Sequence, residues 1–266
     1  MKKITQTKLN FLKKKSIQLR LQILEYTKLK SSFLGSCFSC IDLIIYLYNY
    51  FLKINKKNIS LNKRDTFILS KGHAAPSLFA VLKDKGIINT KLFFSDKTYW
   101  HPDKNIKGVD FQTGALGHGL SVGIGIAKYY KINSIKKWVV VMVGDGELNE
   151  GSIWESFMIS KNWKLGNLII IIDKNKFQAN DKTQKILNLG NLEKKIRSFD
   201  LDLIKLDGHN FKQMNKKFHS LKKDHTPKVI IASTKRNYGI VSIQNKKEYW
   251  YVDKSEKKLN KFKINL

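Results

Sequence analysis

Four short runs of aliphatic, largely β-branched residues punctuate the chain: TFILS at 66–70, WVVVMV at 138–143, NLIIIID at 167–173 and KVIIAST at 228–234. Residues of this kind suit a pleated, buried surface, and runs this short read as strands. DLDLIKLDGHN at 200–210 reads as a further strand. Between them the spacing predicts helices. One covers 5–30, where Leu9, Leu12, Ile17, Leu21, Leu24 and Leu29 recur at roughly helical intervals. Another is a buried helix over 41–52, following a turn in FLGSCFSC. Others run from His73 to Gly86, over the glycine-punctuated 117–130, and over 152–163. Strands alternating with helices make βαβ units and a parallel sheet. There is no internal repeat or linker-like stretch, and the three prolines (Pro76, Pro102, Pro227) mark no hinge. Residues 1–266 therefore read as one α/β domain, a mainly parallel central sheet flanked by helices.

The formal net charge is +29, yet the most acidic short loop, GDGELNEG at 144–151, directly follows a buried-looking strand. In parallel sheets, ligands bind at the carboxyl ends of strands. Asp145 lies at one such end; Asp173 and Asn175, in DKNKFQAN, lie at the next. If a right-handed crossover makes these strands neighbours, Asp145 and Asn175 reach one cation. A carboxylate, an amide oxygen and a backbone carbonyl, completed by phosphate oxygens and water, suit octahedral Mg2+. Gly144 and Gly146 allow close backbone approach to a pyrophosphate, and the nearby helix start offers free N–H groups. GDG alone fits a strand-end turn with a capping aspartate equally well; the asparagine on a second strand end favours the metal site.

Competing motifs fail. The chain has no GxxxxGK[ST]. GHGLSVG at 117–123 imitates a dinucleotide fingerprint at the wrong spacing. DKNKFQAND begins like a calcium loop but carries Phe177 and Gln178 where a ligand and a glycine are needed.

The GDG segment followed by a distant asparagine resembles the thiamine-diphosphate enzymes. LSKGHAAPSLFAVL at 69–82, HPD at 101–103, QTGALGHGLSVGIGIA at 112–127 and GDGELNEGSIWES at 144–156 narrow the resemblance to transketolase. It is strongest to the amino-terminal chain of split, two-subunit transketolases, and SCIDLIIYLY at 39–48 and LDGHN at 206–210 extend it over nearly the whole chain.

The resemblance implies thiamine diphosphate and Mg2+ as cofactors. Asp145, Asn175 and the carbonyl of Phe177 match magnesium ligands; Gly146, Asn175 and His73 match diphosphate contacts. Gly114, Ala115 and Leu116 of TGALG fall where the family holds the aminopyrimidine side. His101 matches a histidine facing the reactive carbon and the sugar, with His73 beside it, and Glu150 a glutamate linking two active sites across a dimer interface. His118 and His209 read as structural. Two positions depart from the pattern: Phe33 and Tyr251 stand where the family has histidines that bind or deprotonate substrate.

The implied reaction moves a two-carbon ketol unit from a ketose phosphate to an aldose phosphate. The activating carboxylate belongs, in this family, to a pyrimidine-binding domain, and nothing after residue 230 supplies one. The expected partner is thus a separate C-terminal transketolase subunit, in an α2β2 assembly or dimer. Alternatives from the same residues are a 2-oxo-acid dehydrogenase or deoxyxylulose-phosphate synthase subunit, and a basic binding protein on the same fold with weakened catalysis.

The 50 Lys and Arg are spread along the chain without a nucleic-acid motif, so no specific nucleic-acid partner is expected. Apolar runs such as LIIYLY at 43–48 fall short of a membrane span, and the basic N-terminus lacks a secretory signal's apolar core, which points to the cytoplasm. Cys37 and Cys40 form a lone CxxC with no second pair to complete a zinc site, and read as inert thiols.

Overall fold

Each long strand carries two apolar faces, and both are covered. Val140 and Met142 of β2 (Val139–Gly144), with Ile169 and Ile171 of β3 (Leu168–Lys174), enter one core. Val139, Val141, Val143, Leu168, Ile170 and Ile172 enter a second core on the opposite side. Side chains alternate across a strand, so this pattern requires helices on both faces. The computed structural model describes residues 4–60 and 64–266. Among these, β1 (Thr66–Leu69), β2, β3, β6 (Asp202–Asp207) and β7 (Lys228–Ser233) form one parallel sheet in the order β1-β2-β3-β7-β6. Two-residue strands β4 (Phe177–Gln178) and β5 (Asp181–Lys182) make a separate antiparallel hairpin.

The first core is covered by α1 (Gln6–Lys30), α2 (Leu34–Tyr46), α3 (Ala75–Asp84), α4 (Thr90–Phe93) and α9 (Phe211–His219). The second lies under α5 (His118–Ile132), α6 (Gly151–Asn162) and α8 (Leu192–Arg197). A short α7 (Thr183–Ile186) follows the hairpin. The predicted α/β domain is therefore observed.

Two sequence expectations need correction. FLGSCFSC is no turn, because α2 begins at Leu34; its small residues are buried, and a Cβ on Gly35 would lie 2.7 Å from the Arg236 side chain. In α1 the helix is present, but Ile17, Leu21 and Leu29 face outward. Polar Ser16, Arg20 and Thr27 share the buried face instead. Arg20 forks onto Asp42 of α2 at 2.7 and 2.8 Å, a bidentate pair that satisfies both groups out of water. Residues Leu34–Phe51 are long and apolar enough to cross a membrane by composition, yet 83% of the stretch is buried as the central helix of its layer, ending in a π-helical turn. Cys37 and Cys40 are free and buried in α2, and burial pushes their thiols up to about 11 and about 12.

β3 does not lead to its neighbour. The chain crosses to the edge strand β6 and returns as β7 between them. This brings the carboxyl ends of β1, β2, β3 and β7 to one edge, where residues 70–74, 145–150, 173–178 and 234–236 gather.

Candidate active site at the carboxyl edge of the sheet

β2 and β3 pair with Gly144 opposite Asp173, so Asp145 and Asn175 leave adjacent strand tips. The Asp145 carboxylate accepts the backbone N–H of Lys176 at 2.6 Å and that of Gly146 at 3.1 Å. The Asn175 side-chain oxygen accepts the N–H of Phe177 at 2.9 Å. Lys176 turns the chain with φ +71°, and the β4–β5 hairpin folds back over Gly146, where a Cβ would lie 2.7 Å from Gln178. Gln178 in turn accepts a bond from the Asn149 amide at 2.8 Å. Asp145, Gly146, Asn175 and Phe177 thus converge. Asp145 is 3% exposed, and burial, with the neighbouring Asp173 charge, pushes its carboxyl up to about 7.

Asp173 is already neutralised. It pairs with the buried Lys71 and accepts hydrogen bonds from Ser39, at 2.6 Å, and Thr234. This knot ties β1, α2, β3 and β7 together beneath the site. Glu147 makes a second knot: one oxygen accepts from Ser70 and from the N–H of Gly117 at 3.0 Å, the other from the N–H of Gly144 at 3.1 Å. It joins three strand-end loops through one buried carboxylate.

His73 follows β1. Its Nε2 bonds Ser36 Oγ at 2.7 Å, and burial together with the Lys71 and His101 charges pushes its pKa down to about 3. Its ring is therefore neutral. His101 stands at the rim beside the TGALG loop, where a Cβ on Gly114 would lie 3.4 Å from its ring; burial lowers its pKa also. Ala115 and Leu116 are exposed in the same loop. Gly117, at φ +81°, turns that loop onto α6, where a Cβ would meet Ser152 and lie 2.9 Å from Glu150. Glu150 caps the start of α6, half-buried, and stands beside TGALG rather than beside Asp145. His209, read as structural, bonds Asp42 through Nδ1 at 2.8 Å and accepts the N–H of Lys235 at 3.0 Å.

Lys71, Glu147, Asp173 and Arg236 form much of the site and were not singled out from the sequence. Lys71 and Glu147 lie inside the SKGHA and GDGEL motifs; Arg236, four residues after a strand interior, carries no comparable signal. Its guanidinium is 1% exposed and lies over the Phe177 ring at 4.6 Å. Its Nε has no acceptor, its Nη1 reaches only the Lys247 carbonyl at 3.4 Å, and burial brings its pKa down to about 10 against the opposing pull of Asp145 and Asp173.

These features fit a divalent cation carrying a diphosphate. Among the described residues no cluster of three His, Cys, Asp or Glu could hold a metal by itself. One buried carboxylate without a cationic partner, one amide oxygen and a glycine cradle leave coordination positions for phosphate oxygens. A buried guanidinium lacking an acceptor is suited to the same anion. The hard oxygen donors favour Mg2+ over a softer metal.

Residues 14–264 match the family model described as transketolase, thiamine diphosphate binding domain. The chain is 32% identical over 221 residues to an apulose-4-phosphate transketolase subunit of Phocaeicola vulgatus, covering 80% of this chain and 78% of that protein. To the subunit of the same name from Actinobacillus succinogenes it is 33% identical over 246 residues, covering 89% and 88%. A solved transketolase from Campylobacter jejuni superposes with a TM-score of 0.82 at 25% identity, over 93% of this chain and 41% of that one.

Proposed function

The chain belongs to the transketolase thiamine diphosphate-binding family, as the amino-terminal subunit of the split type, and from that membership we propose that Asp145, Asn175 and the Phe177 carbonyl hold Mg2+ and, through it, the cofactor diphosphate. The observation that carries this reading is the fastening of two strand tips, distant in sequence, around one buried unpaired carboxylate.

In this reading Gly146 lets the backbone approach the diphosphate, and Arg236 places a positive charge beside it. Gly114, Ala115 and Leu116 present an exposed backbone and one apolar side chain to the aminopyrimidine. Bound thiamine diphosphate supplies the electron sink that lets a bond beside a ketone carbonyl break. This chain's own work is to bind, orient and move protons. His73 is a neutral hydrogen-bonding group held by Ser36, not a cation. His101 is neutral near pH 7, so it can take a proton from a substrate hydroxyl and return it. Glu150, at the foot of the TGALG loop, would communicate with a second copy of the site.

The chain spans 41% of the solved transketolase it was superposed on. We therefore place the remaining catalytic groups on a separate C-terminal subunit, assembled as α2β2 or as a dimer, with sugar phosphates as substrates. The test is ketol transfer from a ketose phosphate to an aldose phosphate with thiamine diphosphate and Mg2+, with and without that subunit. Transfer only with both chains supports the reading; full transfer by this chain alone contradicts it.

A further inference from the structure

Ser32 and Val252 form an isolated antiparallel bridge, with Val252 N–H to Ser32 O at 2.8 Å and Ser32 N–H to Val252 O at 3.0 Å. Their neighbours are thereby set side by side: the rings of Phe33 and Tyr251 lie 5.3 Å apart. Trp250 lies 4.7 Å from Phe33, and Trp100, which immediately precedes His101, lies 5.7 Å from both Phe33 and Tyr251. Phe33 meets His73 edge-on at 5.5 Å, and Trp250 meets it at 6.2 Å. All four aromatic residues keep part of their surface open. The two positions that depart from the family pattern, 218 residues apart, thus form one continuous aromatic wall beside the two site histidines.

Such a wall has a definite chemistry. A phenyl ring offers no strong donor or acceptor, so a hydroxyl brought against Phe33 loses water without gaining a partner. Carbon-bound hydrogens pack well against the same faces. Resting on the functional reading above, we propose that Phe33, Tyr251, Trp250 and Trp100 determine substrate specificity. They favour sugar phosphates that present a deoxygenated or sparsely hydroxylated carbon to the wall over fully hydroxylated ones of the same length. Phe33 is the central residue, because it touches each of the other three and His73.

The test compares 2-deoxyribose 5-phosphate with ribose 5-phosphate as acceptors, using the assembled enzyme, cofactor, Mg2+ and one fixed donor. The expected kcat/KM ratio favours the deoxy sugar, and Phe33→His lowers that ratio by about tenfold, the usual scale for a single polar group in an apolar pocket. Tyr251→His acts in the same direction, while Phe33→Leu, which keeps the surface apolar, retains most of the preference. A ratio unchanged in Phe33→His, or an equal loss for both sugars, overturns the proposal. Calorimetric titration of each phosphate into cofactor-loaded protein reads the wall without turnover. Tighter binding of the deoxy sugar by the parent, abolished in Phe33→His, supports it, and equal binding by the parent overturns it. Absence of cofactor binding would instead overturn the functional reading.

Discussion

The carboxylate of Asp145 accepts the backbone N–H of Lys176 at 2.6 Å, fastening the end of β2 to the residue that follows Asn175. This bond presents a carboxylate and an amide oxygen from two strands at one point. It also keeps an anion in a dry place beside Asp173, at a cost to the empty protein.

Asp145→Asn should separate these two effects. The variant keeps an oxygen for Lys176 but removes the buried charge, so the cofactor-free chain should be at least as stable, by up to about 1 kcal/mol. Mg2+-dependent cofactor affinity should fall by about 100-fold. Thermal unfolding and calorimetric titration check the two halves independently.

Gly146→Ala should displace the hairpin, because the new Cβ falls 2.7 Å from the Gln178 side chain. Overpacking of this kind costs about 1–3 kcal/mol. Since the obstacle is one side chain, adding Gln178→Ala should restore much of the stability. The double-mutant cycle should show coupling of at least about 0.5 kcal/mol.

Glu147→Gln should loosen the loops after β1, β2 and the TGALG segment together. The carboxylate now accepts three donors, and an amide nitrogen would oppose at least one of them. A loss of about 2 kcal/mol is expected. Amide hydrogen exchange should quicken at Gly117 and Gly144, with no change at β6.

Asp42 sets the acid limb of stability. Burial alone would raise its pKa, but Arg20 and His209 hold it well below the usual carboxylate range. Its contribution is therefore present above about pH 4, the unfolded value, and lost as pH falls below it. Asp42→Asn should flatten this acid limb in denaturant titrations. It should also cost about 3–5 kcal/mol at neutral pH, because Arg20 is left buried without its partner.

The strand runs and their parallel arrangement were legible because both faces of β2 and β3 are apolar, a pattern with few structural solutions. The convergence of Asp145 with Asn175 was legible from strand ends and spacing. The knots beneath were not. Whether Lys71 turns inward to Asp173, 102 positions away, depends on the crossover that places β1 beside β2, and a lysine carries no mark of burial. Arg236 was hidden for the same reason. The start of α2 was misread because small residues signal turns locally, whereas here Gly35 serves close packing against Arg236. Phe33 and Tyr251 were visible as two separate departures, and only the Ser32–Val252 bridge unites them.

The most direct test of the account is anomalous diffraction from crystals of the chain with its partner subunit, grown with thiamine diphosphate and with Mn2+ in place of Mg2+. The account predicts one manganese peak bonded to the Asp145 carboxylate and the Asn175 side-chain oxygen, at about 2.2 Å, close to magnesium's own spacing, with the diphosphate beside Gly146 and Arg236. Cofactor bound with the metal elsewhere, or with neither side chain touching it, would contradict the account.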